Sequence, residues 1–188
     1  MGTVQPERQK APLDLVVRDA RADDATAIQA IYGHYVRTSL ATFEEAEPDR
    51  AEIEKRRAAL MAEGFPYLVA ERSGRVMGFA YASLYRTRTA YRHTLEDSVY
   101  VDPAAQRRGI GRALLATLIE RCAALGYRQM IAAIGDSANE GSIGIHAALG
   151  FRMVGPLRSV GFKFGRWVDA VLMQRALGPG GDAPPTRP

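Results

Sequence analysis

One stretch constrains the fold more than any other. Residues 98–101, Ser-Val-Tyr-Val, are an apolar run of strand character, and Asp102 and Pro103 turn the chain. Gln106, Arg107, Arg108, Gly109, Ile110 and Gly111 then open a helical pattern that runs to about Leu125. A strand that enters a helix through a short basic turn belongs to an α/β or α+β architecture. The turn also has a chemistry. The first N–H groups of a helix lack partners within it, and the helix dipole adds positive potential at the same place. Glycine lets a ligand come close to the backbone, because no Cβ stands in the way. With Arg107, Arg108 and Arg112 alongside, residues 106–112 read as a cradle for a pyrophosphate. No Lys-Ser or Lys-Thr pair follows the turn, so it is not a triphosphate loop. The glycine spacing does not fit a dinucleotide fold.

Around this centre the periods alternate. The spacing predicts a first strand over 13–18 and helix-start chemistry at Asp23 and Asp24. The helix that follows presents Ile28, Ile31, Tyr32 and Tyr35 on one face. A loop covers 38–43, a second helix 48–61, and strands 67–71 and 76–85 join at Ser73-Gly74. A loop with Arg86, Arg88 and Arg92 leads into a strand over 93–101. After the central helix, with Leu114, Leu118 and Cys122 on one face, come a strand over 129–134 and a helix over 139–149 with Ile143, Ala147 and Ala148 apolar. Strands over 151–154 and 167–174 close the chain, separated by a glycine-rich stretch at 160–165. This order predicts one sheet with helices on both faces. Residues 1–12 read as a flexible leader, 13–176 as the domain and 177–188 as a disordered tail.

Alternation on the strand over 93–101 puts Leu95, Asp97, Val99 and Val101 on one side and Thr94, Glu96, Ser98 and Tyr100 on the other. A carboxylate on each face near the centre of a strand is unusual, since burying a charge without a partner is costly. That strand is where chemistry is expected.

Composition narrows the function classes. The 25 basic and 21 acidic residues of this 188-residue chain leave a net charge of +4 with no lysine-rich block, which argues against a nucleic-acid partner. One cysteine, Cys122, gives no disulfide, and three histidines far apart in sequence give no metal site. No apolar run is long enough for a membrane span or a signal peptide, so no membrane partner and a cytoplasmic location are expected.

The strand, then Gln106-x-x-Gly109-x-Gly111, then the helix resembles the acetyl-coenzyme A motif of the GNAT N-acetyltransferases. Tyr91, Arg92, His93, Thr94, Glu96 and residues 98–101 resemble the phosphinothricin N-acetyltransferase subfamily. So do Asn139, the run from Ser142 ending His-Ala-Ala-Leu-Gly-Phe, and residues 160–167. The resemblance implies a mixed seven-stranded sheet splayed between the strand ending at Val101 and the strand from Gln129. It implies acetyl-CoA as co-substrate in that opening, with the backbone of Val99, Tyr100 and Val101 along the pantetheine arm. Residues Gln106, Arg107, Arg108, Gly109, Ile110, Gly111 and Arg112 would lie on the pyrophosphate, Asn139 at the pantetheine or thioester end, and Ser142 among the residues that bind the co-substrate.

In this reading Glu96 is the general base that takes the amine's proton. A backbone N–H released by a bulge after Glu96 faces the oxyanion, and His146 stands where many relatives use a tyrosine as acid. A satisfied core histidine is the competing reading of His146. Phe43, Tyr85, Tyr91 and His93, with Arg86, Arg88 and Arg92, would form the substrate pocket. Arginine forks pair well with a carboxylate or phosphinate, so a small anionic amine such as phosphinothricin or methionine sulfoximine fits, with detoxification as the role. The alternatives are acetylation of a peptide N-terminus or another amine, and a catalytically silent acetyl-CoA-binding module. The family implies a homodimer.

Overall fold

The computed structural model describes residues 15–185. The leader at 1–12, the start of the expected first strand and the last three residues of the expected tail lie outside the described residues. Seven strands and four helices follow in the expected order: β1 (Leu15–Asp19), α1 (Ala25–Thr38), α2 (Arg50–Ala62), β2 (Tyr67–Arg72), β3 (Arg75–Leu84), β4 (Thr94–Val101), α3 (Ile110–Ala124), β5 (Gln129–Gly135), α4 (Glu140–Ala148), β6 (Arg152–Lys163) and β7 (Arg166–Ala176). The sheet order is β1-β2-β3-β4-β5-β7-β6. Every pairing is antiparallel except β4 with β5.

Each face of the sheet carries its own core. Leu114, Leu115, Leu118 and Cys122 of α3 pack with Leu95 and Met130 on one face. Ile28, Ile31 and Tyr32 of α1 pack with Tyr67 and Phe79 on the other. No helix among the described residues is long and apolar enough to cross a membrane.

The parallel pair positions the site. β4 and β5 stay in register from Thr94↔Gln129 to Asp97↔Ala132 and then part. Beyond that point Ser98, Val99, Tyr100 and Val101 keep β3 on one edge and have no strand on the other. The expected bulge after Glu96 is absent. β3 and β4 pair residue for residue from Gly78↔Val101 to Leu84↔Leu95, and a bulge needs an extra residue on one strand. The free backbone edge therefore comes from the splay.

One further expectation is corrected. The glycine-rich stretch at 160–165 is mostly strand: β6 runs on to Lys163, and Phe164 and Gly165, both at positive φ, turn it into β7. Gly155, Pro156 and Gly161 are tolerated there because β6 is an edge strand with breaks in its register. On α4 the buried side chain is His146, while Ala147 and Ala148 face outward. After β7, Leu177 is buried and its N–H donates to the Arg128 carbonyl, and Arg128 Nη2 donates to the Pro184 carbonyl at 2.5 Å. Contacts of the chain after β7 thus reach back to the domain as far as Pro184.

Candidate active site

The parting of β4 from β5 opens a cavity of about 360 Å³ between β4, the start of α3, the end of β5 and α4. Most of the residues assigned to the co-substrate meet there. Val99, Tyr100, Val101, Gln106, Arg107, Gly109, Ile110, Gly111 and Arg112 line it, as do Asn139, Ser142 and His146 from the opposite wall. Arg108 is exposed beside the turn and does not line it.

Local physics explains the basic turn. Arg107 and Gly109 both adopt left-handed backbone, φ 61° and 78°. Gly109 does so freely, whereas a non-glycine residue there costs about 1–2 kcal/mol. The first intrahelical bond at this end runs from the Ala113 N–H to the Gly109 carbonyl at 3.0 Å. The N–H groups of Ile110, Gly111 and Arg112 therefore precede the ladder and point out of the helix end. These groups, with Arg107 and Arg112, fit a pyrophosphate.

Two residues carry structural work that the sequence did not assign to them. Gln106 Nε2 donates to the Tyr35 hydroxyl at 3.0 Å, and that hydroxyl donates to the Val101 carbonyl at 2.6 Å. This chain ties α1 to β4 and the turn, and it occupies the Gln106 side chain. A carbonyl oxygen has two lone pairs, so Val101 can still accept from a ligand. Asn139 caps α4: Oδ1 accepts from the Ser142 N–H at 3.2 Å and Nδ2 donates to the Gly135 carbonyl at 3.0 Å.

The two carboxylates of β4 take opposite sides. Asp97 is 7 % exposed and lines the cavity. Its Oδ2 lies 2.9 Å from His146 Nε2, and His146 Nδ1 donates to the Ser142 carbonyl at 2.7 Å. Burial works against a charged imidazole, but the Asp97 bond and charge outweigh it and raise the pKa of His146. Glu96 is half-buried on the other face, and its carboxyl is raised by burial and by Asp97, with Arg86 opposing. It does not line the cavity, but Ser98 and Tyr100, on its own face of the strand, do.

The residues assigned to the amine lie outside the cavity. Arg86, Arg88, Tyr91 and Arg92 are exposed, Tyr85 and Tyr91 meet edge-on at 5.9 Å, and the Arg86 guanidinium sits 4.8 Å over the Tyr85 ring. The His93 side chain is half-buried, and the His93 carbonyl accepts from the N–H groups of Arg128 and Gln129.

Phe43 reaches the cavity edge by another route. A Cβ on Gly161 or Gly135 would stand 2.9 or 3.0 Å from its ring. Its loop is fixed by Lys163, 2 % exposed, whose Nζ donates to the Ser39 and Thr42 carbonyls at 2.9 Å each. Burial lowers the pKa of that ammonium. The same loop puts Ala41 in the cavity wall. Nothing local in the sequence separates Lys163 from a surface lysine, because its partners lie more than 120 residues away.

A second cavity, of about 300 Å³, lies on the other face of the sheet against Tyr32, Ile53, Leu60, Tyr67, Phe79 and Tyr81, with Arg56 among its walls.

Comparison with known proteins settles the family. The model of the acetyltransferase (GNAT) domain matches residues 17–172. The chain belongs to the GNAT acetyltransferases. Phosphinothricin N-acetyltransferase of Alcaligenes faecalis is 58% identical over 164 residues, which cover 87% of this chain and 83% of that protein. L-methionine sulfoximine/L-methionine sulfone acetyltransferase of Pseudomonas paraeruginosa is 41% identical over 169 residues, 89% of this chain and 98% of that one. Among solved structures, a GNAT superfamily phosphinothricin acetyltransferase from Sinorhizobium meliloti in complex with acetyl-CoA superposes with a TM-score of 0.88. It is 48% identical, and the match covers 92% of this chain and 94% of that one. The seven-stranded sheet, open between β4 and β5, is the GNAT fold. This GNAT chain is an acetyltransferase with acetyl-CoA as its co-substrate.

Proposed function

We propose that the enzyme acetylates the α-amine of a small anionic amino-acid-like substrate, of the phosphinothricin, methionine sulfoximine or methionine sulfone type, by direct transfer, in a detoxifying role. The observation that carries this reading is the placing of Glu96. It is half-buried on the face of β4 opposite Asp97, its strand neighbour Asp97 lines the cavity, and Arg86 is the opposing charge. Acetyl-CoA brings the activated acetyl group. Glu96 takes the proton from the ammonium so that the nitrogen can attack, and a raised pKa suits a base working near neutral pH. His146 supplies the proton to the departing sulfur. Arg86, Arg88 and Arg92 draw the substrate's anionic group, with Phe43, Tyr85, Tyr91 and His93 around it. The names of the two curated relatives support this substrate class.

The test is thiol release from acetyl-CoA with a panel of amines. Turnover with phosphinothricin or methionine sulfoximine, at least tenfold above that with a peptide N-terminus or a polyamine, is expected. Turnover with peptides alone would overturn the substrate, and tight acetyl-CoA binding with no turnover would overturn the reaction.

We also propose a homodimer. β6 is a twelve-residue edge strand, and its hairpin with β7 exposes Val154, Phe162, Phe164 and Trp167. A long apolar edge is a template for pairing unless it is covered. Sedimentation is expected to give twice the chain mass, falling to one on Trp167→Glu. A wild-type monomer at micromolar concentration would contradict this.

A further inference from the structure

The sequence puts a carboxylate on each face of β4, and the function above employs only Glu96. We propose that Asp97 is a positioning residue that holds the His146 ring and keeps on it the proton handed to the departing thiolate. This rests on the reading of His146 as proton donor given under Proposed function.

Hydrogen-bond chemistry fixes the arrangement. The Ser142 carbonyl can only accept, so the Nδ1 that lies 2.7 Å from it carries hydrogen. A neutral ring would then present a bare Nε2 to Asp97 Oδ2 at 2.9 Å, where two acceptors would repel. One proton therefore lies between them, and in this proposal the ring holds it. Phe151 packs edge-on against the imidazole, with ring centres 4.9 Å apart and planes at 83°, so the ring is held on a third side.

Both residues line the ligand cavity, and Asp97 Oδ1 is buried with no protein hydrogen-bond partner among the described residues. Asp97 pairs with Ala82 on β3 and Ala132 on β5. From α3 it is approached by Cys122, whose thiol is pushed up to about 12 by burial and by Asp97. Glu96 is on the opposite face of β4, and α4 contributes His146 itself.

The step balances. An ammonium substrate and a thioester give an amide, a thiol and one released proton. The N–C bond forms and the C–S bond breaks with its electron pair going to sulfur, which takes the Nε2 proton that His146 shares with Asp97. The nitrogen loses two protons toward Glu96. One replaces the proton that His146 gave, and the other is released.

The sign of the pH effect follows. Loss of the carboxylate removes what raises His146, so a ring that must be protonated fails at lower pH. Asp97→Asn is expected to lower kcat at pH 8 by about tenfold or more, to move the alkaline limb of kcat to lower pH, and to leave the acetyl-CoA KM within about twofold. His146→Gln is expected to lose kcat at every pH. A His146→Gln enzyme with wild-type kcat overturns the proton-donor reading and this proposal together. An impaired His146→Gln beside an Asp97→Asn enzyme with the wild-type pH profile overturns this proposal alone. Nitrogen-15 NMR of wild-type protein needs no variant to fold: both His146 ring nitrogens are expected to be protonated at pH 7, and a bare Nε2 overturns the proposal.

Discussion

Glu96→Gln is expected to lower kcat by about a hundredfold and leave the acetyl-CoA KM within about twofold. General bases typically contribute two to four powers of ten, and glutamine keeps the shape while removing the proton acceptor. The KM is expected to hold because Glu96 stands outside the walls of the cavity proposed for acetyl-CoA. The pH profile gives a second reading. Burial and Asp97 hold the Glu96 carboxyl above the usual glutamate value, so wild-type kcat should rise with pH as Glu96 ionises, with its midpoint above that value. The variant should lack this limb. Near-wild-type kcat with the limb intact would assign the proton to another group.

The second large effect is expected at Gly111. It lines the cavity, and a Cβ there would meet Ile145 Cδ1 and Val101 Cγ2 at 3.4 Å. A methyl group is thus accommodated, while a ring is driven into the space between β4 and α4. Gly111→Ala is expected to change little. Gly111→Phe is expected to raise the acetyl-CoA KM about thirtyfold or more, which corresponds to about 2 kcal/mol of lost binding. Gly111 is helical and not at positive φ, so losing glycine there should not cost stability. Steady-state kinetics and a melting curve on the same sample separate the two effects. An unchanged KM with a folded variant would remove Gly111 from the acetyl-CoA site. Gly109 makes a poorer test, because at φ 78° any side chain adds strain that has nothing to do with the ligand.

The parts of the fold legible in sequence are those where one face is buried. β4 alternates because Leu95 packs with α3 while Tyr100 packs with α1, and the order of elements follows from such switches of period. The full length of β6 is not legible, because it lies at the edge with most of both faces exposed and neither alternation nor an apolar run marks it. On α4 the apolar Ala147 and Ala148 stand in water, since alanine is small enough to do so at little cost, and the polar His146 is what the helix buries. The site was legible where the backbone itself makes it, in residues 106–112. It was hidden where long-range partners decide, as in the bonds from Tyr35 to Val101, from Lys163 to the Ser39 and Thr42 carbonyls, and from His146 to Asp97. A side chain's partner tens of residues away leaves no local pattern.

Acetyl-CoA is expected to lie in the opening between β4 and β5 with its pyrophosphate on the start of α3. A crystal structure of the protein with coenzyme A tests this most directly. Pyrophosphate oxygens are expected within hydrogen-bond distance of the N–H groups at Ile110, Gly111 and Arg112, and the pantetheine arm along the free edge of β4 toward Asp97. Coenzyme A bound elsewhere, for example in the aromatic cavity beside Tyr67 and Tyr81 on the other face of the sheet, would contradict it.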